Sequence, residues 1–180
     1  MQTIEVIYTK RNFNPISLMI RYMIPTSRVS MARSSHGMAV DGDHVIEAHM
    51  LYGVRRVPAA VALKGATVVR RAAYPVDDAE RGLAWFRSQV CTYQPEVPAW
   101  LPKWAQAVVW FVKMIRHNNY DFKGALGLGF APHRNWQDPS LWTCYEGLAR
   151  TLLEAGLDVF SDAGFITETT LFSIRHRTLA

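Results

Sequence analysis

The sequence predicts an α+β protein, with helices packed on a small, mainly antiparallel sheet. Three observations lead there. Residues 3–9 are rich in β-branched and aromatic side chains, the composition of a strand. Two further apolar runs flank Asp41-Gly42-Asp43, a strong hairpin signal. Residues 77–90, 104–116 and 144–153 each repeat apolar side chains at helical spacing. Such helices and hairpins must bury one face each, and stacking them in layers does so.

Taken in order, residues 3–9 begin the sheet. Asn14-Pro15 breaks it, and Pro15 suits the first turn of a helix running to Tyr22 or Met23. Pro25-Thr26-Ser27 ends that helix. Ser34-Ser35 then leads into the hairpin, whose strands are expected at 36–40 and 44–50. A turn at Asp41-Gly42 sets His36 opposite Glu47. A turn at Gly42-Asp43 sets His36 opposite His49 and diagonal to Glu47. In either two-residue register His36, Glu47 and His49 share one face, because side chains alternate with period two.

Gly53-Val54-Arg55 is expected to continue into an arm, residues 61–63 into a turn or short helix, and 66–71 into a strand. Residues 77–90 form a helix capped by Asp77 or Asp78. The stretch 94–104 carries Pro95, Pro98, Pro102 and two tryptophans, so it reads as a surface excursion. An amphipathic helix follows over 104–116, apolar at Ala107, Val108, Phe111, Val112 and Ile115, and Asn118-Asn119 ends it. Residues 124–129 suit a closely packed helix. Residues 132–140 form a polar loop, and 159–160 with 165–174 supply a last strand or two.

Between that loop and those strands lies the stretch on which the chemistry turns. Thr143 and Glu146 form a capping-box pair, the Thr hydroxyl taking a first-turn N–H while Glu146 reaches back to the N–H of Thr143. Tyr145, Leu148, Ala149, Leu152 and Leu153 make a helical stripe, and Gly156 is the stop signal. Cys144 thereby takes the first helical position, where unpaired N–H groups and the helix dipole favour negative charge on its sulfur. The other reading is a small buried residue that happens to start a helix.

A cysteine nucleophile needs a base in hydrogen-bond reach, and the base needs a polar group to orient it. Cys144, His36 and Glu47 supply those three types. His36, His44, His49 and Cys144 lack the short paired spacing of a metal site, so no metal is expected. Nor is a cofactor expected, since the glycines of 124–129 fit no phosphate loop or dinucleotide fingerprint. Tyr120, Asp121, Trp142 and Tyr145 are candidates to shape a cleft. His44 and His117 read as exposed or helix-end residues, His133 as a loop residue near the cleft entrance, Trp136 as packing and Cys91 as buried filler.

Apolar residues make up 49% of the 180-residue chain and charged ones 19%, which suits one globular domain over residues 1–180. The formal charge of +5 comes from scattered arginines, such as Arg55-Arg56 and Arg70-Arg71. That pattern reads as a solvated surface rather than a nucleic-acid interface. The start lacks a basic, then apolar, secretory pattern, and residues 16–24 and 105–115 are too short to cross a bilayer. The expectation is therefore a soluble protein.

The ordered set Ser35-His36-Gly37-Met38-Ala39-Val40, Val45-Ile46-Glu47-Ala48, Gly53-Val54, Tyr120-Asp121 and Trp142-Thr143-Cys144-Tyr145-Glu146 resembles the circularly permuted NlpC-like cysteine peptidases of the papain-like clan. The resemblance is to the YiiX-type group, and especially to its short phage and prophage members. It implies a papain-like fold with Cys144 as nucleophile, His36 as general base and Glu47 as the group orienting the imidazole. It leaves His49 as a substitute third member, since related permuted enzymes can use a His there. The family commonly has a small residue, often Ser, after its cysteine, whereas this chain has Tyr145.

The implied activity is hydrolysis of an amide or related acyl bond in a peptide or cell-wall-type substrate. An acyltransferase or thioesterase would use the same pair. A non-catalytic phage structural or host-interaction module is the reading from another class, motivated by Tyr145 and the excursion at 94–104. The implied location is the host cytoplasm or the virion.

Overall fold

In the computed structural model, residues 2–11, 34–121, 143–157 and 177–179 are described. Ten elements follow in chain order: β1 (Gln2–Lys10), β2 (His36–Asp41), β3 (His44–His49), β4 (Gly53–Pro58), α1 (Ala59–Ala62), β5 (Thr67–Val76), α2 (Ala79–Ser88), α3 (Lys103–His117), α4 (Cys144–Glu154) and β6 (Arg177–Leu179). The strands form one six-stranded sheet in the order β4-β3-β2-β1-β5-β6, and every neighbouring pair is antiparallel. The architecture is α+β. The helix expected after Pro15, the one at 124–129, the loop at 132–140 and the strands at 159–160 and 165–174 lie outside the described residues.

Alternation along the strands divides the core between the two sheet faces. Ile4, Val6 and Tyr8 of β1 join Ala39, Ile46, Ala72 and Tyr74 on one face, where Phe86 of α2 and Leu148 and Leu152 of α4 cover them. Ile7, Met38 and Val45 point to the other face and meet Ala62 of α1. Burying each large apolar side chain contributes roughly 1.5–3 kcal/mol. Tyr8 and Tyr74 are wholly buried yet their hydroxyls bond each other at 2.7 Å, which offsets the cost of removing them from water.

The hairpin takes the second of the two expected registers. Ala39 pairs with Ile46, Val40 with Val45 and Asp41 with His44, leaving Gly42-Asp43 as the turn. Gly42 sits at φ 66°, a left-handed conformation that the first turn position requires and that costs glycine nothing.

Three expectations need correction. Gly53-Val54-Arg55 is no arm: it opens β4, which pairs with β3 from His44–Pro58 through His49–Gly53. The strand expected to stop at Arg71 runs on to Val76. Ala72 and Ala73 are poor strand formers, but β1 on one side and β6 on the other supply their ladder partners. The apolar stripe of the amphipathic helix, here α3, faces outward: Val108, Phe111, Val112 and Ile115 are exposed, and only Met114 of that helix is buried. The excursion before α3 carries no helix or strand between 91 and 102.

Candidate active site

Local sequence sets the start of α4. Thr143 Oγ1 accepts from the N–H of Glu146 at 3.4 Å, and the N–H of Thr143 donates to Glu146 Oε2 at 2.8 Å, completing the capping box. The cap fixes where the helix begins, and Cys144 is its first residue. No intrahelical acceptor exists for an N–H at that position. Cys144 is 5% exposed and not disulfide-bonded.

His36 opens β2 as Cys144 opens α4, so both stand at the ends of their elements. Gly37 permits their approach. A Cβ there would lie 2.6 Å from Leu148 Cδ1 and 3.4 Å from Tyr145 Cε1, so any larger residue would have to displace the α4 side chains packed on the strand. His36 Nε2–H donates to Glu47 Oε2 at 2.5 Å, and the Cys144 side chain is close enough to act on the charge of the ring. Nε2 being committed to Glu47, Nδ1 is the nitrogen left to serve the sulfur. Burial opposes charge on the ring, but the influence of Cys144 and the bond and charge of Glu47 outweigh it and raise the His36 pKa to about 10. The imidazole keeps 24% of its side-chain surface open.

Glu47 is 2% exposed and would be costly to bury alone. It has two cationic partners. Beside the bond from His36 to Oε2, Arg55 Nε donates to Oε1 at 2.7 Å, and Arg55 Nη2 pairs with the same oxygen. Burial pushes its pKa up, but the bond from His36 and the charges of His36 and Arg55 prevail, leaving it at about 2. Arg55 was not singled out from the sequence, because its role depends on β4 being a strand. Glu47 and Arg55 are direct register partners on β3 and β4.

His49 lies near this cluster but is engaged elsewhere. Its Nδ1 accepts from the N–H of Leu51 at 3.2 Å, and its ring packs 5.1 Å from that of Tyr52. Burial, then the positive charge of Arg55, push its pKa down to about 4. Tyr145 is half-buried and its hydroxyl bonds Ser34 Oγ at 3.0 Å, tying the first turn of α4 to the segment entering β2.

Tyr120 and Asp121 are both buried. Burial, then the charges of Cys144, Glu146 and Asp121, push the Tyr120 hydroxyl well above its usual value. Two asparagines anchor the segment. Asn118 Nδ2 donates to the carbonyls of Met50 and Leu51, while Asn119 Oδ1 accepts from the N–H of Val54 at 2.8 Å. The sequence showed them only as a helix stop. Trp142, His133 and Trp136 lie outside the described residues.

Elsewhere, His44 Nδ1 meets Asp43 Oδ1 at 2.5 Å beside the turn. His117, the last residue of α3, packs on Tyr93. Cys91 is half-buried rather than buried, and its N–H donates to the carbonyl of Val54. Among the described residues no group of three or more His, Cys, Asp or Glu is arranged to hold a metal ion.

The arrangement is thus a thiol, an imidazole that can take or return its proton, and a carboxylate that holds the imidazole in one tautomer. No family model matches the chain, nor does any curated protein or solved structure.

Proposed function

We propose that the protein is a cysteine hydrolase acting on an amide or related acyl bond, built on a papain-like, circularly permuted arrangement. One observation carries this reading: Cys144, at the first position of α4, acts directly on the charge of His36, whose Nε2 is held by buried Glu47 at 2.5 Å. In the proposed cycle His36 takes the thiol proton and the Cys144 sulfur attacks the substrate carbonyl. The N–H of Cys144, at the helix start, helps hold the oxyanion. His36 returns the proton to the departing amine or alcohol, leaving a thioester. It then takes a proton from water as the water oxygen attacks, and the acid leaves as the thiol re-forms. A peptide or cell-wall-type acyl group suits this chemistry. Transfer to another acceptor, or attack on a thioester, would use the same pair.

The burial of Cys144 and the Tyr145–Ser34 bond favour a second reading, a non-catalytic phage structural or host-interaction module on the same fold. One experiment separates the two: alkylation of Cys144 and Cys91 across pH, read by mass spectrometry, in wild type and His36→Ala. A hydrolase requires Cys144 to react at neutral and mildly acidic pH, and His36→Ala to confine that reaction to alkaline pH. A Cys144 that stays inert, or that tracks Cys91 whatever occupies position 36, overturns the hydrolase reading.

A further inference from the structure

Helix α3 sets its most apolar face outward. Trp104, Val108, Phe111, Val112 and Ile115 recur at intervals of three and four, so they lie along one side, and all are exposed. Trp100, in the turn just before the helix, is 81% exposed, and Trp104 is 73% exposed. The other side of the helix is the anchored one. Met114 is buried, Trp110 meets the Tyr52 ring edge-on at 5.8 Å, and Lys113 Nζ donates to the carbonyl of Glu96 at 2.7 Å. An outward apolar stripe of this size marks a surface that meets something other than water.

Charge decides what that is. Residues 103–117 include Lys103, Lys113, Arg116 and His117 and not one Asp or Glu. Helical spacing puts Lys103 and Arg116 on opposite edges of the apolar stripe. Two copies packed through this face would bring Lys103 against Arg116, or each against itself, with no acid on the helix to neutralise them. An anionic bilayer fits instead. The stripe can enter the boundary between headgroups and acyl chains, the two flanking cations meet lipid phosphates, and the indoles of Trp100 and Trp104 rest at headgroup depth. A 15-residue helix with internal charge is too short to span, so it would lie in the plane of the surface.

We propose that the exposed face of α3, with Trp100, docks the protein on an anionic lipid bilayer. Through Tyr52 the helix is linked to the candidate site: the Tyr52 ring that Trp110 contacts lies 4.9 Å beneath the Arg55 guanidinium. The docking proposal stands apart from the hydrolase reading, because none of its residues belongs to the Cys144 cluster.

The test is co-sedimentation of the full chain with phosphatidylcholine vesicles prepared with and without phosphatidylglycerol, alongside tryptophan fluorescence. Binding to the anionic vesicles should exceed binding to neutral ones by about tenfold or more and weaken with salt. Phe111→Glu with Val112→Glu should abolish it, and Lys103→Glu with Arg116→Glu should remove the anionic preference. These positions are exposed, so far-UV circular dichroism should be unchanged. Cys144→Ala should bind like wild type, separating this result from any failure of the enzyme reading. Equal binding to both vesicle types, no binding, or binding that survives Phe111→Glu with Val112→Glu overturns the proposal. So does a dimer in sedimentation velocity that the same double substitution dissociates, since a second copy would then own the face.

Discussion

His36 and Glu47 meet at 2.5 Å across the β2–β3 hairpin without being register partners. The Gly42-Asp43 turn puts them on a diagonal, and the carboxylate reaches the ring along it. Alternation along β2 and β3 puts His36, Glu47 and His49 on one face of the hairpin. Arg55, from the next strand, takes the other oxygen of Glu47. The orientation of His36 is therefore a property of three strands.

Removing the negative charge at the centre should be severe. Glu47→Gln leaves Arg55 and His36 facing a neutral amide in a buried place, and breaking such a pair costs about 3–5 kcal/mol. Urea unfolding should show that loss, and the pKa of His36 should fall from about 10. An unchanged His36 titration by NMR would show that Glu47 does not hold its charge.

Arg55 acts on its neighbours through its charge. Arg55→Met leaves Glu47 bonded to His36 but removes the charge that, after burial, does most to keep His49 deprotonated. His49 should then titrate above about 4, as followed by its ring carbon-bound proton. If His49 stays put, burial alone sets its state.

Stability should pass through a maximum near neutrality. The His36 pKa is raised from 6.5 to about 10, so its contribution is full below 6.5 and lost as pH climbs toward 10. His49 has the opposite sign: held near 4 in the fold, it penalises folding as pH falls below 6.5, because the unfolded chain takes the proton first. Glu47 and Asp41, both lowered to about 2, stabilise above their ordinary values of 4.5 and 3.8 and lose that effect as pH falls toward 2. Denaturant midpoints should peak near pH 6.5, and His36→Ala should flatten the alkaline limb. A midpoint that rises steadily from pH 7 to 10 would contradict the His36 assignment.

Close approach at Gly37 is the packing counterpart. Gly37→Ala places a methyl 2.6 Å from Leu148 Cδ1, so the buried Leu148 side chain must shift to admit it. Overpacking of this kind costs about 1–3 kcal/mol. The alkylation of Cys144 should become independent of position 36 as β2 and α4 separate. Retention of both stability and His36-dependent reactivity would mean that the strand accommodates the methyl elsewhere.

The readable parts of this protein were those set by neighbours in sequence. The Thr143–Glu146 capping box, the start of α4 at Cys144, the Asp78 cap of α2 and the two-residue hairpin turn each depend on hydrogen bonds spanning a few residues. The backbone decides such contacts locally, so composition and spacing reveal them. Tertiary structure alone decided the rest. It chose between two hairpin turns one residue apart, which shift the cross-strand pairing by two, and it made 53–58 a strand, so that Arg55 meets Glu47. It also brought His36 to Cys144 over a separation that no spacing rule measures, and left the apolar stripe of α3 outside the core. Periodicity reports that a helix has an apolar face, but only the packing of every other element determines what is left to cover it.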